Sequence, residues 1–174
     1  AEAGVAPDRL KVTGNIKFDQ NYREIPEDER REFLAQLGIT EETPVLTAAS
    51  THRGEEEIVL RAFLEIKKQF PTAFLILAPR HPERAEEVER LLAVHGVKWV
   101  RRSRLTEGKN RYRPEVLLLD TLGELGLAYS LSRISFVGGS LVPVGGHNVL
   151  EAAAQGKPVF YGPYMHNFHD SKEL

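Results

Sequence analysis

The 174-residue sequence contains no cysteine, which excludes a disulfide framework and thiolate chemistry. It contains no run of eighteen apolar residues, so no segment has the length and hydropathy of a membrane-spanning helix. The formal net charge is only -2, which argues against a general nucleic-acid-binding protein. Hydrophobic residues make up 41% of the chain and charged residues 28%, which is typical of a soluble globular domain with its own core.

Apolar segments alternate along the chain with amphipathic ones. The apolar segments predict strands over 44–50, 73–79, 97–102, 115–120, 134–140 and 158–162. Between them, helical spacing predicts helices over 54–69, 83–95, 122–131 and 148–155, with Gly156 as the last C-cap. Apolar strands alternating with helices are typical of a parallel sheet covered on both faces. The sequence therefore predicts a doubly wound, Rossmann-like α/β domain.

Polar and glycine residues follow the predicted strands at the points where the strands end. They are Ser50 and His52 after the first strand, Arg80 and His81 after the second, Thr121 after the fourth, and Gly139 and Ser140 after the fifth. Ligands of open α/β sheets bind beyond the carboxyl ends of the strands. We therefore expect a binding site at this edge of the sheet.

The strongest local pattern is segment 138–151, in which two glycine pairs precede a predicted helix. Gly145 and Gly146 lead directly into His147 and Asn148. Glycine lets a ligand approach the backbone closely, and a helix N-terminus presents free N–H groups, so together they predict a phosphate site. The spacings match neither a Walker loop nor a dinucleotide fingerprint. The alternative is a plain turn with Asn148 as the N-cap.

Several candidate residues have a structural interpretation beside the functional one. Glu151 is either the capping-box partner of Asn148 or an acceptor for ribose hydroxyls. Arg80 either binds a phosphate or carboxylate or forms a structural ion pair. Thr121 either caps a helix or contacts a nucleotide base. His52 and His81 are either turn residues or hydrogen-bond donors to a ligand.

Residues 98–113 hold seven Lys or Arg residues and a single acid, Glu107. This segment is either a solvated loop or a contact for anionic lipid head groups. His166 and His169 lie near Asp170, but their spacing does not match a metal site, so no metal is predicted.

Six segments together resemble a known family. They are VTGNIKFD at 12–19, STHRGEEEIVL at 50–60, LAPRHPER at 77–84, DTLGEL at 120–125, FVGGSLVPVGGHNVLEAAAQGKPV at 136–159 and YGPYMHNFHD at 161–170. In this order they resemble the C-terminal half of the Kdo (3-deoxy-D-manno-octulosonic acid) transferases, which are two-domain glycosyltransferases of the GT-B fold. The resemblance covers nearly the whole chain, and the glycine-rich block with its HN pair and following Glu is its most specific part.

The resemblance implies that residues 1–174 form one domain that binds the donor CMP-Kdo. The implied donor-binding residues are Lys17, Ser50, His52, Arg80, His81, Thr121, Gly139, Ser140, Gly145, Gly146, His147, Asn148 and Glu151. It also implies inverting transfer of Kdo to a lipid A precursor in lipopolysaccharide biosynthesis, at the cytoplasmic face of the bacterial inner membrane, without a cofactor or metal. The catalytic base would lie in an N-terminal domain outside this chain, and both chain ends look cut, so we expect a fragment that is itself soluble.

Two other interpretations remain open from the residues. The first is another GT-B glycosyltransferase or a nucleotide-sugar epimerase that uses a different nucleotide. The second is a non-catalytic nucleotide-binding module.

Overall fold

The computed structural model describes Ala6, Arg9, Lys11 and the ranges 22–105 and 113–168 of the chain. Six residues that the sequence analysis singled out lie outside the described residues: Lys17, Glu107, Lys109, Arg111, His169 and Asp170.

Helices and strands alternate through the described ranges. In chain order they are α1 (Glu27–Leu37), β1 (Val45–Thr51), α2 (Glu55–Gln69), β2 (Phe74–Pro79), α3 (Ala85–Val94), β3 (Trp99–Arg101), β4 (Val116–Leu118), α4 (Leu125–Leu131), β5 (Ile134–Val137), α5 (Leu150–Ala153) and β6 (Val159–Tyr161). No helix in this part of the chain is long and apolar enough to cross a bilayer.

The six strands form one sheet in the order β3-β4-β2-β1-β5-β6, and every neighbouring pair is parallel. This confirms the doubly wound α/β fold that the sequence predicts. The chain leaves β1 towards β2 on one side, and later places β5 against the other side of β1. A crevice opens where the strand order reverses in this way, at the carboxyl ends of the strands. The fold therefore places a ligand-binding crevice between the ends of β1 and β5.

Both faces of the sheet are covered, which explains why the central strands are apolar without interruption. Along β2, Phe74 and Ile76 pack with α1 and α4 on one face. The alternate residues Leu75 and Leu77 pack with α2 and α3 on the other face. All four side chains are at most 1% exposed. Successive side chains of a strand point to opposite faces, so one strand contributes to both core layers.

Helices α1 and α5 differ from the sequence-based expectations. Helix α1 was not predicted, although Glu27, Asp28 and Glu29 fill its first turn and Gly38 ends it in a left-handed conformation. Helix α5 is much shorter than the predicted 148–155, because it spans only Leu150–Ala153. The polar face of α1 is wide, since only Phe33, Leu34 and Leu37 are buried, and this weakened its apolar signal.

The predicted strand over 134–140 was too long, because β5 ends at Val137 and residues 138–140 form a loop. Gly138 and Gly139 cause this early end, since glycine disfavours regular strand structure and Gly139 adopts a φ of 66°.

Three arginines of the basic segment form ion pairs within the domain. Arg101 lies 2.6 Å from Glu89, and Arg102 lies 2.8 Å from Glu124. Arg104 also contacts Glu89, at 3.4 Å. These pairs favour a structural role for residues 98–105 over contact with lipid head groups, because their carboxylate partners already offset the positive charge.

The sheet's second core layer generates a first prediction. Leu92 of α3 is 0% exposed whereas Val94, two residues later, is 83% exposed. We expect Leu92→Ala to lower the free energy of unfolding by about 2–5 kcal/mol, because it leaves a cavity against α2 and the sheet. Val94→Ala should change it by less than about 0.5 kcal/mol. Urea denaturation of both variants measures the difference, and equal losses would contradict this account of the core.

Candidate functional site

The candidate site lies at the switch point of the sheet, where β1 and β5 end side by side. Residues 52–54 connect β1 to α2, and the glycine-rich loop 138–141 follows β5. The amide of Gly138 donates to the carbonyl of Ala49 at 2.8 Å, which continues the β1–β5 pairing into the loop. The two segments are therefore in direct backbone contact at the crevice.

One buried carboxylate holds the two segments together. Glu55, in the first turn of α2, is 0% exposed. Its Oε2 accepts hydrogen bonds from the amides of His52 (2.8 Å) and Gly139 (2.7 Å). Its Oε1 accepts from the amides of Ser140 (3.0 Å) and Leu141 (2.8 Å). Four backbone donors from two distant segments thus converge on a single side chain.

Two glycines of the loop are required by its surroundings. A Cβ atom on Gly138 would lie 2.5 Å from the carbonyl oxygen of Ser50, so only glycine fits against β1. Gly139 has a φ of 66°, and a Cβ there would lie 2.9 Å from Cδ2 of His147. The loop can therefore approach both β1 and His147 only because these positions carry no side chain.

Ser50, at the end of β1, has a φ of 55°, and among the described residues it is the only non-glycine with a positive φ. The β1–β2 register shifts at this point, between Ala49 and Thr51. Such a conformation is strained in L-residues and tends to occur at functional sites. Ser50 lines a cavity of about 180 Å³ together with Arg80 and Thr121. Three of the predicted site residues thus share one cavity.

Three histidines from three segments meet beside the loop. The Nε2 atoms of His52 and His147 are 2.8 Å apart, and the ring planes differ by only 4°. The rings of His52 and His81 meet edge to face, with centroids 5.8 Å apart. One ring nitrogen of the His52–His147 pair must donate and the other must accept, so the two rings hold one hydrogen between their Nε2 atoms.

The surroundings disfavour the protonated form of the His52–His147 pair. The pKa of His147 is lowered to about 4, chiefly by burial and then by His52 and Arg80. The pKa of His52 is also lowered, by burial first and by His81 and Arg84, although Glu55 opposes this shift. Both rings are therefore neutral at pH 7, and the pair presents hydrogen-bonding groups without a charge.

The two arginines near the rim have different roles. Arg84 is 2.7 Å from Glu56 and 2.9 Å from Glu87, so it is the arginine held in a structural ion-pair network. The pKa of Glu87 is lowered to about 2 by its hydrogen bonds from Arg53 and Arg84. Within the described ranges, the exposed side chain of Arg80 has no carboxylate partner. Its guanidinium is free to bind an anion at the rim.

The second glycine pair, Gly145 and Gly146, contacts the glycine-rich loop and does not begin a long helix. The amide of Gly146 donates to the carbonyl of Gly139 at 2.8 Å, and Gly145 accepts from the amide of Asn167 at 3.1 Å. The side-chain oxygen of Asn148 accepts from the amide of Leu150 at 3.0 Å, which forms a local turn before α5. The N-cap of α5 is Val149, so the predicted N-cap role of Asn148 is wrong. A four-residue helix has few aligned peptide dipoles, so its N-terminus contributes little to anion binding, and the phosphate site predicted in segment 138–151 stays a prediction.

Glu151 does not complete a capping box in the described structure. Its carboxylate is partly buried beside Tyr22 and Gly126 in a cavity of about 180 Å³. No side-chain cap hydrogen bond is formed at the start of α5. Burial raises the pKa of Glu151, since nothing compensates the loss of hydration. A carboxylate that lines a cavity without a capping partner favours the ligand-binding interpretation, which stays a prediction.

Other predicted site residues are engaged in structural contacts. The buried hydroxyl of Ser140 donates to the carbonyl of Val137 (2.6 Å) and accepts from the amide of Gly162 (2.9 Å). The Thr121 hydroxyl donates to Glu124. Asp120 does not cap α4, because it accepts from the amide and hydroxyl of Ser103, at 2.9 and 2.6 Å. Contacts of Ser140 and Thr121 with a bound ligand stay predictions. The half-exposed His81 ring has its Nδ1 atom 3.4 Å from Oε1 of Glu83.

The sequence pattern did not indicate a functional role for Glu55. An acidic residue in the first turn of a helix is ordinary, because it interacts favourably with the helix dipole. Only the loop from residue 139 to residue 141, more than eighty positions away, reveals its second role. The one local signal is Gly54, whose left-handed conformation turns the chain so that Glu55 faces the loop.

The chain is similar in sequence to several known enzymes. The chain is 41% identical to the 3-deoxy-D-manno-octulosonic acid transferase of Haemophilus influenzae over 97% of its own length and 38% of that enzyme. It is 41% identical to the enzyme of the same name from Aquifex aeolicus, over 82% of this chain and 39% of that enzyme. It is 34% identical to a bifunctional glycosyltransferase/methyltransferase of Fusobacterium nucleatum, over 98% of this chain and 26% of that protein.

A solved structure is also similar. The C-terminal CMP-Kdo binding domain of WaaA from Acinetobacter baumannii matches with a TM-score of 0.74 and 36% identity, over 84% of this chain and 75% of that one. No protein-family model matches the chain. The fold and these relatives define the class, which is a Rossmann-like α/β domain of a glycosyltransferase. The chain belongs to the family of 3-deoxy-D-manno-octulosonic acid (Kdo) transferases, and it spans about two fifths of the length of the first two enzymes.

A glycine pair with matched backbone geometry tests the loop. Gly139 and Gly156 both have a φ of 66°, but a Cβ on Gly156 would meet nothing within 4 Å. We expect Gly156→Ala to cost about 1 kcal/mol of stability from the left-handed conformation alone. Gly139→Ala should cost at least about 1 kcal/mol more and shift the NMR signals of the His147 ring, because its Cβ meets that ring. Equal costs and unshifted His147 signals would show that the contact is unimportant.

The lowered histidine pKa values predict a dependence of stability on pH. Between about pH 6.5 and pH 4, unfolded His147 binds a proton that the folded chain does not, so the free energy of unfolding falls as the pH falls. His147→Gln should reduce this loss by on the order of 1 kcal/mol at pH 5. Chemical denaturation at pH 7 and pH 5 measures both proteins, and parallel pH profiles would contradict the assignment.

Proposed function

We propose that the chain is the donor-binding domain of a Kdo transferase and binds CMP-Kdo. The observation that carries the proposal is its 36% identity and common fold with a domain described as CMP-Kdo binding. The full-length protein, on this proposal, transfers Kdo to a lipid A precursor in lipopolysaccharide biosynthesis. It acts as an inverting glycosyltransferase at the cytoplasmic face of the inner membrane.

The geometry of the rim supports a role in binding the nucleotide's phosphate. Transfer breaks the bond between the anomeric carbon of Kdo and a phosphate oxygen, so negative charge develops on the departing CMP. Within the described ranges Arg80 has no carboxylate partner, and the ring of the His52–His147 pair that accepts the shared hydrogen bond keeps an Nδ1–H group for a ligand. Donors fixed before the reaction stabilise this charge, because they need no reorganisation when it forms.

A carboxylate outside the phosphate-binding group has a different role. Glu151 lines its own cavity, at the end of the loop that carries His147. A carboxylate accepts hydrogen bonds from the two hydroxyls of a ribose, as in related sheet folds. We therefore assign Arg80 and the histidines to the phosphate and Glu151 to the ribose of CMP.

The base that takes the acceptor's proton is assigned to the rest of the enzyme. A general base must lie within hydrogen-bond reach of the attacking oxygen. The buried carboxylates at this rim are already engaged, Glu55 with four amides and Glu56 with Arg84 and Thr51. On the proposal, this domain binds the donor and stabilises the leaving group, and an N-terminal domain supplies the base and the acceptor site.

Nucleotide titration tests the proposal. CMP added to the ¹⁵N-labelled chain should shift the amides of residues 138–151 more than UDP or GDP does. Arg80→Ala should weaken CMP binding about 10- to 100-fold, because the phosphate loses a charge-assisted hydrogen bond. Arg61→Ala is the matched control, since Arg61 is an exposed arginine of α2 paired with Glu57 away from the crevice. A stronger response to UDP, or equal losses in both variants, would refute the assignment.

A further inference from the structure

We propose that Glu55 is a positioning residue of the donor site, which sets loop 139–141 and the His52–His147 pair in the geometry that receives the nucleotide. The inference rests on the proposed function and adds a residue that neither the sequence pattern nor the comparisons assign. Glu55 touches no ligand in this account, and it acts through the backbone that it holds.

The argument begins with the bonding of the carboxylate. Each oxygen of Glu55 accepts two backbone amides, and all four distances lie between 2.7 and 3.0 Å. The side chain is 0% exposed, so water does not compete for these bonds. A buried carboxylate is costly unless its charge is met by hydrogen bonds, and four N–H dipoles provide this compensation. The loop conformation and the buried position of the Glu55 carboxylate therefore stabilise each other.

The anchored backbone lies directly beside both histidines. The amide of His52 is one of the four donors, so the backbone that carries the His52 ring is hydrogen-bonded directly to the carboxylate. Gly139, a second donor, packs so closely on the ring of His147 that a Cβ would lie 2.9 Å from it. The 2.8 Å contact between the two rings therefore spans the two segments that Glu55 joins. If the loop moves away from Glu55, the histidine pair separates.

The next residue in the chain provides a matched control. Glu56 is also buried, at 2% exposed, and it also belongs to the first turn of α2. Its partners are Arg84 at 2.7 Å and the hydroxyl of Thr51 at 3.1 Å, and none of them belongs to the loop. Glu56→Gln removes a buried charge of the same kind without releasing residues 139–141. Loss of stability is thereby separated from loss of positioning.

The experiment compares Glu55→Gln with Glu56→Gln in the 174-residue chain. A glutamine at position 55 turns an NH2 group towards two of the four amides, so the loop can no longer close on it. We expect Glu55→Gln to weaken CMP binding at least about tenfold, and Glu56→Gln to change it less than about twofold even though it also unfolds more easily. Unchanged CMP binding in Glu55→Gln, or equal weakening in both variants, would overturn the proposal.

The titration of His147, followed by NMR, distinguishes positioning from a simple effect of charge. The negative charge of Glu55 raises the pKa of His147, so its removal without movement would lower that pKa further below about 4. Release of the loop would instead separate His147 from His52 and expose it, so the pKa would rise towards 6.5. We expect the rise, and a fall would overturn the proposal. This readout needs no nucleotide, so it stands even if wild-type chain fails to bind CMP and the proposed function is refuted.

A second variant covers the case in which Glu55→Gln does not fold. Glu55→Asp keeps the charge but withdraws the carboxylate by one methylene, so it cannot reach all four amides. It should bind CMP at least about threefold more weakly than wild type, with the His147 pKa raised. Wild-type CMP affinity and an unshifted His147 in Glu55→Asp would overturn the proposal.

Discussion

The crevice at the switch point of the sheet depends on one side chain that joins two segments far apart in sequence. Glu55 binds the amide of His52 locally and the amides of residues 139–141 more than eighty positions away. The parallel order of the sheet makes this possible, because β1 and β5 are neighbours and end at the same edge. The topology brings the segments together, and the carboxylate fixes the distance between them. Every other feature of the rim is arranged around this junction.

The positive charge available at the rim depends on which arginines the nearby carboxylates pair with. Glu56 and Glu87 are committed to Arg84, and Glu87 also pairs with Arg53. Glu55 accepts from amides, and among the described residues no carboxylate pairs with Arg80. An unpaired guanidinium at the mouth of a crevice attracts anions, whereas a paired one is already neutralised. The structural ion pairs therefore determine which arginine remains available for a ligand.

The sequence predicts the fold and the edge of the sheet that carries the site, because both follow from local patterns. Apolar strands such as 73–79 and the polar residues at their ends need no knowledge of distant contacts. The role of Glu55 depends on a contact across the switch point, and a helix-initiating acid looks the same without it. The length of α5 was also overestimated, since the fold ends it after four residues. Lys17 lies outside the described residues, so its predicted part in donor binding stays a prediction.

The neutral histidine pair gives the crevice a charge that depends on its ligand. Burial, His52 and Arg80 lower the pKa of His147 to about 4, so at pH 7 this ring adds no positive charge beside Arg80. An anion beside the pair would oppose these causes, because a negative charge stabilises the protonated ring. Positive charge can then develop on the pair next to an anion, and without an anion the neutral rings do not repel Arg80. Such an arrangement requires the two rings to be held at hydrogen-bonding distance, and that distance is set by the backbone anchored on Glu55.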